Sequence, residues 1–154
     1  MKLHLDQIDR KLLRSLQIDS RLSVAELGEI VGLSPSACHR RVRALETSGI
    51  IRSYEAKLDG NRLGYSLNFF VEVVLTSQSD SALRAFEAAI RDIPEVLECN
   101  LMAGQVDYVL RVASRDHEDF ERIHSQLISR LPGVARVHSN LRIRTVKPFS
   151  GVPV

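Results

Sequence analysis

At 154 residues the chain has room for one domain or two small ones. Its hydrophobic share of 44% and charged share of 26% are ordinary for a soluble globular protein. The net charge of +2 and pI of about 8.7 are too mildly basic to announce nucleic acid, and no apolar run reaches the roughly 18 residues of a membrane span. The charge is nevertheless unevenly placed. Residues 1–58 hold ten Lys/Arg against seven Asp/Glu, whereas the remainder holds eleven against twelve. The chain has no charged-then-apolar leader and no low-complexity tract. The two cysteines, Cys38 and Cys99, are in no paired motif and read as small buried apolar residues in a reducing compartment. The expectation is a cytoplasmic protein.

Asp6 can cap a first helix in which Ile8, Leu12, Leu13 and Leu16 form an apolar stripe. Ser23-Val24-Ala25-Glu26 is a capping-box pattern and opens a second helix with Leu27, Ile30 and Val31 as its buried face. Gly32 sits where a helix end needs a left-handed residue, and Gly32 to Ser34 is long enough only for a tight turn. Ser34 then caps a third helix and Pro35 takes its first position, where a missing N–H costs nothing. Cys38, Val42 and Leu45 fall on one stripe of that helix. Ser36, Arg40, Arg43 and Thr47 fall on the other, with His39 and Glu46 at its edge. Helix, short turn, helix is the helix-turn-helix unit. Arginine can donate two hydrogen bonds to guanine and also neutralise phosphate. Ser34, Pro35, Ser36, His39, Arg40 and Arg43 are therefore the candidate residues for double-stranded DNA.

Ser48-Gly49 ends the helical pattern, and Ile50 to Leu58 reads as extended, suggesting a small wing or linker strand. Arg52, Tyr54 and Lys57 could touch phosphates from it, though Tyr54 could equally pack on the helices. Asp59-Gly60-Asn61 is a turn signal and marks a domain boundary.

Leu67 to Thr76 is β-branched and aromatic and predicts a strand. Leu83, Phe86, Ile90 and Ile93 predict a helix stopped by Pro94. Val96 to Met102 is a second strand, Ala103-Gly104-Gln105 a turn, and Asp107 to Ala113 a third strand. Phe120, Ile123, His124, Leu127, Ile128 and Leu131 share one helical face, Pro132-Gly133 ends it, and Val134 to Val146 is a fourth strand. The order βαββαβ is the ferredoxin-like plan. Two helices cover one face of such a sheet. The other face, partly apolar, calls for a second copy packed sheet against sheet.

The chain resembles the leucine-responsive regulatory protein (Lrp/AsnC) family of transcription regulators over nearly its whole length. The resemblance rests on Leu5-Asp6-Gln7-Ile8-Asp9-Arg10-Lys11-Leu12-Leu13, Gly32-Leu33-Ser34-Pro35-Ser36 with Cys38, Arg41-Val42 and Leu45-Glu46, and Gly49-Ile50-Ile51. In the second half it rests on Ala103-Gly104-Gln105-Val106-Asp107-Tyr108 and Leu131-Pro132-Gly133-Val134. It implies an α+β chain: an N-terminal winged helix-turn-helix domain (residues 1–58), a linker (59–66), and a ferredoxin-like βαββαβ domain (67–154) that binds effector and oligomerises. It implies homodimers that assemble further, often to octamers, and an amino acid or related metabolite as effector, with no other cofactor. Ala103, Gly104, Gln105, Asp107, Tyr108 and Asn140 are its implied effector residues. Gly104 would let backbone N–H groups approach a carboxylate, and Asp107 would face an ammonium; alternatively, Gly104 and Asp107 only shape a hairpin. Gln105 stands where family members often carry an acid, which leaves ligand preference open.

No nucleophile-plus-base motif, phosphate-cradling glycine loop or metal spacing among His4, His39, His117, His124 and His138 points to an enzyme or a metal site. His124, on the buried stripe, reads as a core histidine. The remaining alternative is an oligomeric metabolite sensor that acts through protein partners.

Overall fold

The computed structural model describes residues 4–154, which fall into two compact units. One holds the residues up to Lys57 together with Lys147–Val154; the other is Leu58–Val146.

In the first unit, α1 (Gln7–Ile18), α2 (Val24–Val31) and α3 (Pro35–Thr47) start where their caps predict. Asp6 accepts from the Asp9 main-chain N–H while the Asp9 carboxylate accepts from that of Asp6; Ser23 and Glu26 do the same for α2. Each box satisfies two otherwise orphaned donors. Gly32 ends α2 at φ 73°, in the left-handed region. The turn then folds tightly back on α2. The Leu33 N–H donates to Gly28 O at 2.9 Å, and a Cβ at Gly28 would lie 2.7 Å from Leu33 O. Gly28 is thus fixed by a close backbone approach that periodicity alone does not reveal. Leu12, Leu27, Cys38 and Val42 form the core, joined by Ile8, Leu16, Val31, Leu33 and Ile51. Ile30, expected in that core, is exposed.

One expectation changes here. Residues 50–58 form no strand: the only sheet among the described residues belongs to the second unit, so the winged element is absent. A strand needs a ladder partner, and Arg52 to Leu58 has none. At the far end, Lys147–Val154 groups with the first compact unit. Arg14 Nη1 donates to Val154 O at 2.8 Å and Gln17 Nε2 to Val152 O at 3.1 Å, binding this segment to α1.

The second unit is a four-stranded sheet of β1 (Leu67–Leu75), β2 (Val96–Leu101), β3 (Tyr108–Ser114) and β4 (Val134–Leu141) in the order β2-β3-β1-β4. Every neighbouring pair is antiparallel. α4 (Asp80–Ile90) and α5 (His117–Arg122) complete the βαββαβ order. Phe69, Val71, Val73 and Leu75 alternate onto the helix side, where they meet Leu110, Val112, Phe86, Ile90, Ile123 and Ile128. The Phe69 and Phe120 rings stack with centroids 3.5 Å apart.

The second helical stretch is not continuous. After α5 come a π-helical turn, Ile123–Leu127, and a 3-10 turn, Ile128–Arg130. Ile123 and Ile128 are both fully buried. Five residues apart, they would diverge by about 140° on a regular α-helix, and the wider i→i+5 turn brings both inward. β4 ends at Leu141, short of the expected Val146. Cys99, expected inside, is exposed on edge strand β2.

The open face is more polar than the sequence suggested. Phe70, Glu72 and Val74 of β1 stand beside Asn140, His138 and Arg136 of β4, with Arg111 and Val109 of β3 opposite Phe70 and Glu72.

Candidate nucleic-acid interface and ligand domain

α3 presents two chemically distinct sides. Cys38, Val42 and Leu45 are buried, whereas Ser36, His39, Arg40 and Arg43 are exposed. Burial pushes the Cys38 thiol up, so it stays protonated and inert in the core. Ser34 Oγ accepts from the Ala37 main-chain N–H at 3.4 Å and lies 3.2 Å from Ser36 Oγ, while Pro35 occupies the first turn. These two set the start of the helix and place Ser36 at its exposed end. Among the described residues the Arg40 guanidinium has no ion-pair partner, and Arg43 Nη1 lies 3.6 Å from Glu46 Oε2.

Arg41 does something the sequence reading did not assign. Its Nη1 donates to both Asp6 Oδ2 and Asp9 Oδ1 at 2.8 Å. One arginine of α3 thus locks onto the N-terminal capping box of α1 and fixes the angle at which the exposed side is offered. The Asp9 main-chain N–H, and then Arg41, hold the Asp6 carboxyl below the usual carboxylate range. The signal was available: two acids three residues apart at one helix start, and an arginine off the free side of another.

Beyond α3, Arg52 is exposed. Tyr54 is exposed and turns back on α3: its hydroxyl donates to Glu46 Oε1 at 3.0 Å, and partial desolvation, reinforced by Glu46, raises its pKa. Lys57 Nζ reaches Phe149 O at 3.5 Å.

In the second unit the six implied effector residues do not converge. Ala103, Gly104 and Gln105 form an exposed turn. Gly104 is not in the left-handed region, and a Cβ there would meet nothing within 4 Å. Nothing within the chain therefore demands glycine at this position. Asp107 is only 6% exposed and both its oxygens are occupied. Oδ2 accepts from the Leu75 N–H and Oδ1 from Gln78 Nε2, each at 2.7 Å. Its own N–H donates to Val73 O, and its carbonyl accepts from the Met102 N–H. Tyr108 is buried on the helix side, 4.4 Å from Phe86 between ring centroids, and its hydroxyl donates to Glu87 Oε1 at 2.9 Å. Burial, then Glu87, drives that phenol far above its ordinary pKa. Asn140 lies on the opposite, open face beside Phe70. Within one chain, Asp107 and Tyr108 are thus buried and hydrogen-bonded, while the 103–105 turn and Asn140 are exposed. His124 is half-buried with its ring 5.8 Å from Phe120. Among the described residues no group of three His, Cys, Asp or Glu side chains could hold a metal ion, and no helix is long and apolar enough to cross a membrane.

Residues 5–46 match the AsnC-type helix-turn-helix domain, and residues 68–152 match the Lrp/AsnC ligand binding domain. The chain is 38% identical over 143 residues to the leucine-responsive regulatory protein of Salmonella typhimurium, covering 93% of this chain and 87% of that one. It is 39% identical over 150 residues to the Bkd operon transcriptional regulator of Pseudomonas aeruginosa, covering 97% and 98%. A transcriptional regulator from Neisseria meningitidis, solved as a complex with L-Met, superimposes with a TM-score of 0.93 at 34% identity over 97% of both chains. With its helix-turn-helix unit, its four-stranded ligand-domain sheet and these relatives, the chain belongs to the Lrp/AsnC family of transcriptional regulators.

Proposed function

We propose that α3 enters the major groove of duplex DNA, with Arg40 and Arg43 on bases or adjacent phosphates and Ser36 and His39 adding polar contacts. Ser34 and Pro35 shape the approaching helix end, and Arg52 adds a phosphate contact. The observation that carries this reading is the division of α3: four polar or cationic side chains exposed on one side, three apolar ones buried on the other. Two copies joined through the open sheet face would offer two such helices to successive grooves about 34 Å apart, hence a near-palindromic site. Further association of dimers would raise avidity on bent DNA.

An amino acid is the proposed effector, in keeping with the L-Met bound to the meningococcal relative. The exposed Ala103-Gly104-Gln105 turn is its proposed point of approach, where an unhindered glycine lets main-chain N–H groups meet a carboxylate. Asp107 serves this turn by holding its base. Such a ligand changes DNA occupancy only by favouring one assembly state over another. The regulator is proposed to work in the cytoplasm, where its two unpaired thiols stay reduced.

Fluorescence anisotropy with the promoter fragment upstream of the protein's own gene tests the DNA reading. Saturable binding that weakens with salt is expected. No binding to any promoter fragment at low salt would favour a sensor that acts through protein partners. A thermal-shift screen of the twenty amino acids identifies the effector, since a ligand of the folded state raises its stability.

A further inference from the structure

We propose that Glu46 sets the specificity of the DNA-reading side by holding Arg43, and that Tyr54 holds Glu46. The two oxygens of one carboxylate face different partners. Glu46 Oε1 accepts from the Tyr54 hydroxyl at 3.0 Å, and Oε2 lies 3.6 Å from Arg43 Nη1. The Glu46 side chain is 30% exposed and that of Arg43 is 70% exposed. The acid is therefore the more buried member of the pair, with a second partner in Tyr54, and the arginine the more exposed one.

The position of Glu46 makes helix stability a poor explanation for it. It lies in the last turn of α3, at the negative pole of the helix dipole, where a carboxylate is disfavoured. It also stands one helical turn from an arginine on the side offered to a polyanion, where it subtracts from attraction to phosphate. The first effect costs helix stability and the second weakens indiscriminate binding. What the carboxylate supplies is restraint. An unrestrained arginine is a long, flexible cation that can settle on any phosphate, whereas a guanidinium drawn by a carboxylate at one nitrogen has a narrower range of positions and keeps its other nitrogens open for a base contact. Specificity is a difference of affinities, and a group that weakens binding to the wrong sequence more than to the right one increases it. Tyr54 completes the arrangement because a hydroxyl donated to Oε1 stops the carboxylate from swinging away. Glu46 and Tyr54 are thus positioning residues that act through Arg43.

The proposal rests on α3 facing DNA, so the test separates the two. Duplexes are first selected by the wild-type protein from a random-sequence library. Affinities for a selected duplex and for a random-sequence duplex are then compared at one salt concentration for wild type, Arg43→Ala, Glu46→Gln, Tyr54→Phe and the Arg43→Ala/Glu46→Gln double variant. Glu46→Gln is expected to lower the selected-to-random ratio about tenfold, the size of a lost two-bond base contact. Tyr54→Phe, which removes one neutral hydroxyl, should lower it about threefold. In the Arg43→Ala background the Glu46→Gln change should leave the ratio where it was, because its effect passes through Arg43. An equal drop in both backgrounds overturns the proposal, as does an unchanged ratio in both single variants. Should Glu46→Gln fail to melt like wild type, Tyr54→Phe alone and in the Arg43→Ala background decides by the same comparison. Failure of the wild-type protein to enrich any sequence overturns the reading of α3 itself, and this proposal with it.

Discussion

The exposed side of α3 and the turn from Ala103 to Tyr108 were both expected to meet other molecules, and they treat their side chains in opposite ways. α3 keeps Ser36, His39, Arg40 and Arg43 exposed. The turn folds Asp107 and Tyr108 inward and leaves Ala103, Gly104 and Gln105 outside. The difference is one of period and of local need. A helix satisfies its own backbone, so its polar side needs nothing from the side chains it carries. A strand end does not. The β1–β3 ladder stops at Val73↔Tyr108, leaving the Leu75 N–H beyond the last pair, and the Asp107 carboxylate fills that gap. A buried N–H without an acceptor is costly, so the nearest acid was recruited for structure.

The largest expected effect follows from this. Asp107→Ala removes two hydrogen bonds to a charged acceptor and orphans the Leu75 N–H. It should destabilise the second unit by about 3 kcal/mol, seen as a lower denaturation midpoint, with effector response lost through the fold and not through a missing contact. A variant that melts like wild type but ignores the effector would break the comparison and return Asp107 to the ligand. Arg40→Ala should do the reverse: about 2 kcal/mol weaker binding to a selected operator, with an unchanged melting curve. Unaltered operator affinity would remove Arg40 from the interface.

How much of this was legible depends on the range over which each signal acts. Caps and turns are local, so Asp6, Ser23, Gly32 and Ser34-Pro35 announced three helices without reference to anything distant. The alternation of Phe69, Val71, Val73 and Leu75 similarly announced β1 and its inward side. Residues 50–58 look like a strand for the same local reasons, but whether an extended segment is a strand depends on a partner that local pattern cannot supply. Lys147–Val154 carries no periodicity, and its attachment to α1 rests on main-chain oxygens that any sequence provides. The apolar spacing from Phe120 to Leu131 fits an unbroken helix; only the need to bury both Ile123 and Ile128 reveals the wider turn. Arg41 was visible as a motif residue but not as a clamp, because its acids are 32 and 35 positions away.

That clamp gives an intermediate effect. Arg41→Ala leaves the buried Asp9 and the partly exposed Asp6 without their cation and should lower stability by about 1–2 kcal/mol. It should also weaken operator binding, because the orientation of α3 is loosened. Loss of DNA affinity with no loss of stability would make Arg41 a direct contact instead.

Asp119 supplies a pH-resolved counterpart to Asp107 within the same unit. Arg115, through its side chain and main-chain N–H, and then Arg122 hold the Asp119 carboxyl far below its ordinary range. A depressed folded-state pKa contributes stability that is present above the unfolded value of about 3.9 and is lost as pH falls toward the folded one. Asp119→Asn should therefore melt below wild type at pH 7, and the gap should narrow progressively below about pH 4. A gap that persists undiminished at pH 2 would assign the loss to packing and not to charge.

The smallest structural effect is the most informative about the ligand. Gly104 has no left-handed backbone to protect and no neighbour within 4 Å of a built Cβ. Gly104→Ala should shift stability by no more than about 0.5 kcal/mol, as for any open surface position. If an amino acid approaches the main chain at this turn, however, the added methyl stands in its path. Thermal stabilisation by the effector should then shrink while the unliganded melting curve and DNA affinity in the absence of effector stay put. Gln105→Ala is the matched control, since it trims the same turn without adding bulk beside the amides. Full effector stabilisation in Gly104→Ala would move the ligand off the 103–105 turn, and the accessible Asn140 on the open sheet face would become the next position to test.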